Sequence, residues 1–351
     1  MTISVVKVFF PLAIAFFVGI AITPILTHYL YKYKMWKKKA RTLGLGGGGT
    51  PIFNNLHKEK EVGTPRMGGI IIWVSVLATV TLLWIIAKLF PGEVTQKLNF
   101  LSREQTWLPL FTLVAASLVG LVDDILVIYG RGGYIAGGLS LRVRIGIVLL
   151  IGLIGGWWFF DKLDVSSIHI PFDGDLDLGI LIIPLFMITM LAIFSGGVID
   201  GIDGLAGGIM TAIFSAYAGI AFFQNQIDLA AFCAVVAGGT LAFLWFNIPP
   251  ARFYMSETGM LGLTTTITVI AFLTKNVLVL PIIALPLFLA SISVILQVLS
   301  KKLRNGKKIF LVAPIHHHFE ALGWPSYKVT MRFWVISIFF AVIGMIIALI
   351  G

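Results

Sequence analysis

The sequence predicts an all-α integral membrane protein with about ten transmembrane helices. Apolar residues make up 58% of the chain and charged residues 12%, so the polar surface that a water-soluble protein of this size needs is missing. Apolar runs close to the roughly 20 residues that cross a bilayer as a helix recur along the whole chain. The alternating polar and apolar decads of an outer-membrane barrel are absent, which leaves helices as the spanning element.

Ten apolar segments are candidate spans within a single polytopic domain, residues 1–351. The first is interpreted as a retained helix, because it lacks a small-residue cleavage site and precedes a basic segment. The third, fourth and eighth are short, so we expect them to extend into their flanks or to border a polar cavity. The spans are 9–30, 70–90, 107–122, 145–160, 178–198, 205–223, 229–246, 260–273, 277–299 and 333–350.

Lys and Arg side chains are distributed unevenly between the two sets of loops. Of the 26 in the chain, 20 lie in or beside the five loops that share one side of the membrane when ten spans are present. By the positive-inside rule these five loops are cytoplasmic and both termini lie outside the cytoplasmic (inner) membrane. We expect the five loops to form the functional site, because a basic face suits anionic lipid head groups and phosphorylated substrates.

Three loops carry distinct patterns. The first cytoplasmic loop, 31–69, contains a glycine run at 46–49 that indicates a flexible connector, and it ends in Gly-Thr-Pro-Arg-Met-Gly-Gly at 63–69. That last stretch either makes a tight helix start or presents free backbone amides to a phosphate. In the outer loop 161–177, alternation around Asp173-Gly174 predicts a small external β-hairpin with a two-residue turn.

Most acidic side chains on the cytoplasmic side lie at the edge of the predicted hydrocarbon region. Carboxylates there are costly and usually face a cavity or a partner, so they are functional candidates. The aspartate pair at the end of the third span would oppose the dipole of its own helix. The later acids could instead serve as an N-cap or a first-turn residue. These candidates are Asp123, Asp124, Asp200, Asp203, Glu257 and Glu320.

Three of the six histidines, His316, His317 and His318, are adjacent in the cytoplasmic loop 300–332. Imidazole can bind a metal, carry a proton or donate to phosphate. Zinc is disfavoured, because three consecutive histidines cannot all point one way and the spacing matches no standard zinc signature. Carboxylates from separate loops together with imidazoles and basic residues indicate a site for Mg²⁺ and a phosphate.

Several motifs together resemble the bacterial phospho-N-acetylmuramoyl-pentapeptide transferase (translocase I) family, within the polyprenyl-phosphate N-acetylhexosamine-1-phosphate transferase superfamily. The resemblance covers nearly the whole chain, and the PIHHHFEALGWP string is its most specific part. The motifs are GTPRMGG, Val122-Asp123-Asp124, the DGIDGLA stretch from Asp200, Phe246-Asn247, and PIHHHFEALGWP running into Arg332-Phe333-Trp334.

The resemblance implies an enzyme of peptidoglycan and cell-wall synthesis. Such an enzyme moves phospho-N-acetylmuramoyl-pentapeptide from UDP-N-acetylmuramoyl-pentapeptide to undecaprenyl phosphate, releasing UMP and forming lipid I with Mg²⁺ as cofactor. It also implies a homodimer in the lipid bilayer, and no nucleic-acid partner is expected. By motif position, the expected catalytic residues are Asp123, Asp124, His316, His317 and His318; the substrate-binding residues Lys60, Thr64, Arg142, Asp200, Asp203, Asn247 and Tyr254; and the metal ligands Glu257 and Asp200.

The sequence departs from the family pattern at three positions. Glu257 stands where the family has a metal-binding aspartate, Gly197 where it has an asparagine, and Val127 where it has a lysine. Arg142 and Arg144 could supply the missing positive charge. Direct attack by the lipid phosphate and a covalent aspartyl intermediate both remain open, and ping-pong exchange would indicate the second.

Two other functions remain as alternatives. A sister enzyme would transfer N-acetylglucosamine-1-phosphate to a polyprenyl phosphate, and the PIHHHFEALGWP string argues against it. An ion-coupled transporter would also use intramembrane acids, but transporters usually place them near the bilayer midplane in repeated, broken helices. Here the acidic clusters all lie at one predicted membrane face.

Overall fold

The computed structural model describes residues 2–38, 62–102, 105–131 and 137–351. The glycine run at 46–49 and Lys60 lie outside the described residues. Ten helices within the described ranges are long and apolar enough to cross a membrane. They confirm an all-α integral membrane protein.

The ten spanning helices are joined by short helices and one hairpin. One of them, the 14-residue helix Ile182–Ser195, is extended to spanning length, Gly179–Ile199, by a 3₁₀ turn at each end. The elements are α1 (Thr2–Lys32), α2 (Ile70–Leu89), α3 (Glu93–Leu98), α4 (Trp107–Ile128), α5 (Leu141–Lys162), β1 (Ser167–Ile170), β2 (Gly174–Asp177), α6 (Ile182–Ser195), α7 (Leu205–Phe223), α8 (Ile227–Asn247), α9 (Ser256–Leu273), α10 (Leu280–Ile283), α11 (Leu285–Leu303), α12 (Ile315–Ala321) and α13 (Ser326–Ile350).

The three spans that looked short all extend into their flanks, as expected. Helix α4 continues to Ile128, so Asp123 and Asp124 lie inside the helix and not at its end. Helix α9 begins at Ser256, four residues before the predicted start of this span. The ninth predicted span, 277–299, is present but its predicted start is wrong: the spanning helix α11 begins at Leu285, and the helical run is interrupted at Ala284, between α10 and α11. Each of these two helices has a proline in its first turn, where its missing N–H costs nothing.

Helices α8 and α9 form the centre of the bundle. In their most apolar windows 83% and 89% of the residues are buried. Helix α8 packs against α1, α2 and α7, while α9 packs against α4 and α6. Helix α9 can be buried although it contains Thr264, Thr265 and Thr268, because each hydroxyl donates to the carbonyl four residues earlier.

The contact between α4 and α9 is close because glycines lie in it. A Cβ built on Gly120 would overlap the backbone of Glu257 and Thr258, and one built on Gly262 would overlap the Ser117 hydroxyl. Small residues let two membrane helices approach until their backbones touch. This approach brings the C-terminal part of α4 against the first turn of α9.

The hairpin and the two chain termini lie at the opposite end of the bundle from the start of α9. Lys275, just after α9, contacts Asp175 of β2, and the Phe172 amide donates to the Gly351 carbonyl. Lys7 near the N-terminus pairs with Asp228 at the start of α8. The predicted β-hairpin is confirmed, but its predicted turn is wrong: Ile170 pairs with Gly174, so the turn is the three-residue stretch 171–173.

We predict that Gly120→Ala lowers the free energy of unfolding by about 1–3 kcal/mol, because the added methyl group has to push α4 away from α9. The thermal denaturation midpoint of the purified protein in detergent measures this effect. Gly146→Ala on the neighbouring helix α5 is the matched control, since nothing lies within 4 Å of a Cβ built there. Equal midpoints for the two variants would contradict the close α4–α9 contact.

Candidate active site

The first turn of α9 is the point at which the predicted site residues meet. Asp124 of α4 is fully buried, and its Oδ2 accepts hydrogen bonds from the Thr258 amide at 2.9 Å and the Thr258 hydroxyl at 2.6 Å. Its Oδ1 accepts from Arg66 Nε at 3.1 Å and lies 3.0 Å from Arg66 Nη2. A carboxylate at a helix N-terminus is favoured by the free amides and the dipole. These partners offset the unfavourable position of Asp124 near the end of its own helix.

Asp123 faces a different set of partners. Its Oδ1 accepts from the Leu139 amide at 2.6 Å, and its buried Oδ2 lies 2.8 Å from Arg144 Nη2. Arg144 Nη1 donates to Glu257 Oε1 at 2.5 Å, so one guanidinium bridges a carboxylate of α4 and a carboxylate of α9. The two adjacent aspartates therefore differ: Asp124 is saturated by hydrogen bonds, whereas Asp123 Oδ2 has an ion pair but no regular hydrogen bond among the described residues.

The Asp-Gly loop, residues 200–204 between α6 and α7, binds the start of α9 and the segment that precedes it. Asp200 Oδ2 accepts from the Ser256 amide at 2.8 Å, and Asp203 Oδ2 accepts from the Ala251 amide at 3.3 Å. Gly204 precedes α7 without any side-chain cap. The alternative in which these aspartates cap the next helix is therefore wrong, because both side chains reach across to another segment.

Asn247 connects the same two segments. Its Oδ1 accepts from the Gly204 amide at 2.9 Å, and its Nδ2 donates to the Phe253 carbonyl at 2.8 Å. The buried Asn247 amide thus fixes the Asp-Gly loop relative to the chain leading to Tyr254. Tyr254 is half-buried, and its backbone pairs with Pro65 and Gly68.

The ionisation of two charged groups outside the spans follows from this arrangement. Burial raises the pKa of Asp200 to about 6, although the Ser256 amide and Arg66 oppose the rise. Burial acts to lower the pKa of Arg66, but the carboxylates of Asp124, Asp200 and Glu257 together outweigh burial, and the pKa is raised. Arg66 therefore stays charged beside the carboxylates.

The three histidines lie on the short helix α12, within the predicted loop between two spanning helices; the sequence analysis did not predict this helix. A Cβ built on Gly201 would lie 2.6 Å from Nε2 of both His316 and His317, so these two rings pack directly on the Asp-Gly loop. His318 faces another way, and its Nδ1 accepts from the Leu311 amide at 3.2 Å. As expected from adjacency, the three rings do not converge.

His317 is oriented by a second carboxylate. Its Nδ1 lies 2.7 Å from Glu320 Oε2, and Glu320 Oε1 accepts from the Ser326 hydroxyl at 2.6 Å. A carboxylate that is hydrogen-bonded to Nδ1 fixes the orientation of the ring and leaves Nε2 directed at the Asp-Gly loop. Glu320 was a candidate from its position alone, whereas Ser326 carried no signal in the sequence.

Other predicted substrate-binding residues lie at the margin of this cluster. Thr64 is half-buried, and Arg142 is exposed. The Gly68 and Gly69 amides donate to the Tyr254 and Met255 carbonyls at 2.8 and 3.2 Å. These two amides therefore join the GTPRMGG stretch to the chain before α9 and are not free to bind a phosphate.

Asp123 and Glu257 are the two carboxylates that could hold a divalent cation together, since Arg144 contacts both. Within the described ranges no group of three or more His, Cys, Asp and Glu side chains is arranged to hold a metal. Mg²⁺ usually takes one or two carboxylates and completes its shell with water and substrate phosphates, so a two-carboxylate site with a buried oxygen free of regular hydrogen bonds fits it. Asp200, the other predicted ligand, is instead engaged by the Ser256 amide.

Comparison with known proteins places the chain in a family. The sequence profile of Glycosyl transferase family 4 matches residues 106–275, which contain the aspartate pair, the Asp-Gly loop and Glu257. The phospho-N-acetylmuramoyl-pentapeptide-transferase of Anoxybacillus flavithermus (strain DSM 21510 / WK1) is 34% identical over 344 residues, 97% of each chain. The chain belongs to the phospho-N-acetylmuramoyl-pentapeptide-transferase family.

Further relatives carry the same name. The protein of Geobacillus sp. (strain WCH70) is 36% identical over 82% of this chain and 85% of its own. That of Listeria innocua serovar 6a (strain ATCC BAA-680 / CLIP 11262) is 33% identical over 96% of this chain and 97% of its own. The chain is thus a transferase enzyme of a multi-pass membrane family, and the family resemblance drawn from the motifs is confirmed.

We predict that Asp200→Asn raises stability at about pH 8 and leaves it nearly unchanged at about pH 4. Because folding raises the pKa of Asp200 from 3.8 to about 6, its contribution to stability is full below the lower value and is lost as the pH rises through the higher one. Asparagine removes this cost and keeps an oxygen for the Ser256 amide. Denaturation midpoints in a chelator at both pH values measure the effect.

The exposed Asp173 of the hairpin supplies the control for this experiment. Asp173→Asn removes the same charge without changing a buried group, so its effect on the midpoint should be small at both pH values. A midpoint for Asp200→Asn that falls below wild type at high pH would contradict the assignment.

Proposed function

We propose that this chain transfers phospho-N-acetylmuramoyl-pentapeptide from its UDP carrier to undecaprenyl phosphate, forming lipid I and UMP for peptidoglycan synthesis. The observation that carries the proposal is the meeting of Asp123, Asp124, Glu257 and the Asp-Gly loop with two histidines at one end of the bundle. Family membership supports it, because the relatives are named for this transfer.

The location of the site suits two anionic substrates that arrive by different routes. A lipid phosphate diffuses within the membrane, and a nucleotide comes from solution, so a site at the ends of spanning helices can meet both. Both termini lie at the opposite, hairpin end of the bundle, and the positive-inside rule assigns the site end to the cytoplasm. We therefore place the site on the cytoplasmic face of the inner membrane.

Phosphoryl transfer depends mainly on positioning and on neutralising charge. Asp123 is the residue that we assign to orienting or deprotonating the lipid phosphate, whose oxygen attacks the β-phosphorus of the nucleotide sugar while the bond to UMP breaks. Asp124 holds Arg66 and the first turn of α9 in place. His316 and His317 are assigned to contacts with phosphate or sugar, since their Nε2 atoms face the Asp-Gly loop.

Glu257 and Asp123 are the residues that would hold Mg²⁺. When bound, this ion supplies charge neutralisation at the pyrophosphate and at the UMP leaving group. Asp200, Asp203 and Asn247 fix the loop against which the histidines pack. Tyr254, in the connected segment, is assigned to the uridine base, where an aromatic ring can stack.

Release of UMP tests the proposal directly. Purified protein in detergent, given undecaprenyl phosphate, UDP-N-acetylmuramoyl-pentapeptide and Mg²⁺, should release UMP only when both substrates are present. Asp123→Asn and His317→Ala should each lower the rate by at least about 100-fold, whereas His318→Ala should cost less than about tenfold, because that ring faces Leu311.

The same assay separates the alternatives. Equal UMP release from UDP-N-acetylglucosamine would favour the sister enzyme, and ion flux without UMP release would favour a transporter. Near-normal transfer by Asp123→Asn or His317→Ala would contradict the assigned roles.

A further inference from the structure

Arg144 is the cation that the fold itself places between Asp123 and Glu257. Its Nη2 lies 2.8 Å from Asp123 Oδ2, and its Nη1 lies 2.5 Å from Glu257 Oε1. Its Nε donates to the Leu139 carbonyl at 3.2 Å, which fixes the plane of the guanidinium. The side chains of Asp123, Arg144 and Glu257 are only 4%, 17% and 25% exposed, so water screens this cluster weakly.

Val127 stands where the family pattern has a lysine, so no second cation from this position competes with Arg144 for Asp123. A Cβ built on Gly138 would lie 2.7 Å from Val127 Cγ2 and 3.3 Å from Arg144 Nη2. Val127 thus fills the space under the turn at Gly138 with an apolar side chain. The positively charged partner of Asp123 is instead Arg144 of helix α5.

The second arginine of the site serves a different carboxylate. Arg66 donates to Oδ1 of Asp124, and Oδ2 of the same carboxylate accepts from the Thr258 amide. Asp124 therefore keeps its partners whether or not Arg144 moves. If a divalent cation replaces the Arg144 guanidinium, the carboxylates that change partner are those of Asp123 and Glu257.

A guanidinium and a divalent cation cannot both occupy the space between the same two oxygens. Mg²⁺ and Mn²⁺ need direct contact with carboxylate oxygen at about 2.0–2.2 Å, and Arg144 already holds one oxygen of each carboxylate at hydrogen-bond distance. Two positive charges this close also repel each other strongly in a weakly screened site. Binding of the cation therefore requires Arg144 to withdraw.

We propose that Arg144 competes with the divalent cation for Asp123 and Glu257, and that cation binding releases the guanidinium toward the substrate phosphates. The second half rests on the proposed function, because it needs an anionic nucleotide beside the site. Arg144 suits both states, since a guanidinium binds carboxylate and phosphate with the same paired geometry. It is a positioning residue that keeps the two carboxylates together and neutralises part of their negative charge before the cation arrives.

Binding of Mn²⁺ to the full-length protein in detergent, without any substrate, tests the competition. The fall in the electron paramagnetic resonance signal of free Mn²⁺ gives the dissociation constant. Arg144→Gln should tighten Mn²⁺ binding by about tenfold or more, because the ion no longer has to displace a bound charge. Arg144→Lys, which keeps the charge but cannot bridge two carboxylates, should fall between wild type and Arg144→Gln.

Lys302→Gln is the matched control, since it removes one positive charge from an exposed side chain at the end of α11. Glu257→Gln should weaken Mn²⁺ binding in both the wild-type and the Arg144→Gln background. A thermal scan gives an independent readout, in which Mn²⁺ should raise the denaturation midpoint of Arg144→Gln more than that of wild type.

Unchanged or weaker Mn²⁺ binding by Arg144→Gln would overturn the proposal and would mean that the guanidinium only holds the carboxylates in place. Equal tightening by Lys302→Gln would overturn it as well, since the effect would then be one of net charge. Because these measurements use no substrate, they stand apart from the UMP assay, whose failure would overturn the proposed function and leave the cation competition intact.

Discussion

The buried carboxylate of Asp124 is the constraint on which the site depends. A buried charge is costly unless it is paired and hydrogen-bonded, and Asp124 has Arg66 on one oxygen and Thr258 on the other. The arrangement requires α4 and α9 to touch, which Gly120 permits. It therefore holds together the loop between the first two spans, the third span and the eighth span.

The other candidate site residues are held in place by contacts that lead away from the start of α9. Ser256 anchors the Asp-Gly loop through Asp200, and Glu257 shares Arg144 with Asp123. The Asp-Gly loop in turn provides the glycine surface on which His316 and His317 pack. Each step joins segments far apart in sequence, so the site forms only when the whole bundle has formed.

Composition and segment length were enough to predict ten spans, because the bilayer imposes both. The acidic residues could be predicted as site candidates because a carboxylate beside hydrocarbon is unusual in itself.

The partners of these acids could not be predicted from the sequence. Thr258 and Ser326 are common residues whose role depends on a contact across the fold, and Arg66 looked like one more cytoplasmic charge. The difference between Asp123 and Asp124 is likewise invisible in sequence, since it arises from which face of α4 meets α9. The short helix of the histidines was not predicted, because the sequence analysis assigned only the long apolar segments as helices.

The central claim is that Arg66 and Asp124 act as one unit that holds the start of α9. A double-mutant cycle with Arg66→Gln, Asp124→Asn and the double variant measures it, using the free energy of unfolding in mixed micelles of rising SDS fraction. The structure predicts that each single variant is destabilised and that the double variant is little worse, with a coupling energy of about 2 kcal/mol or more. Effects that add to within about 0.5 kcal/mol would contradict it.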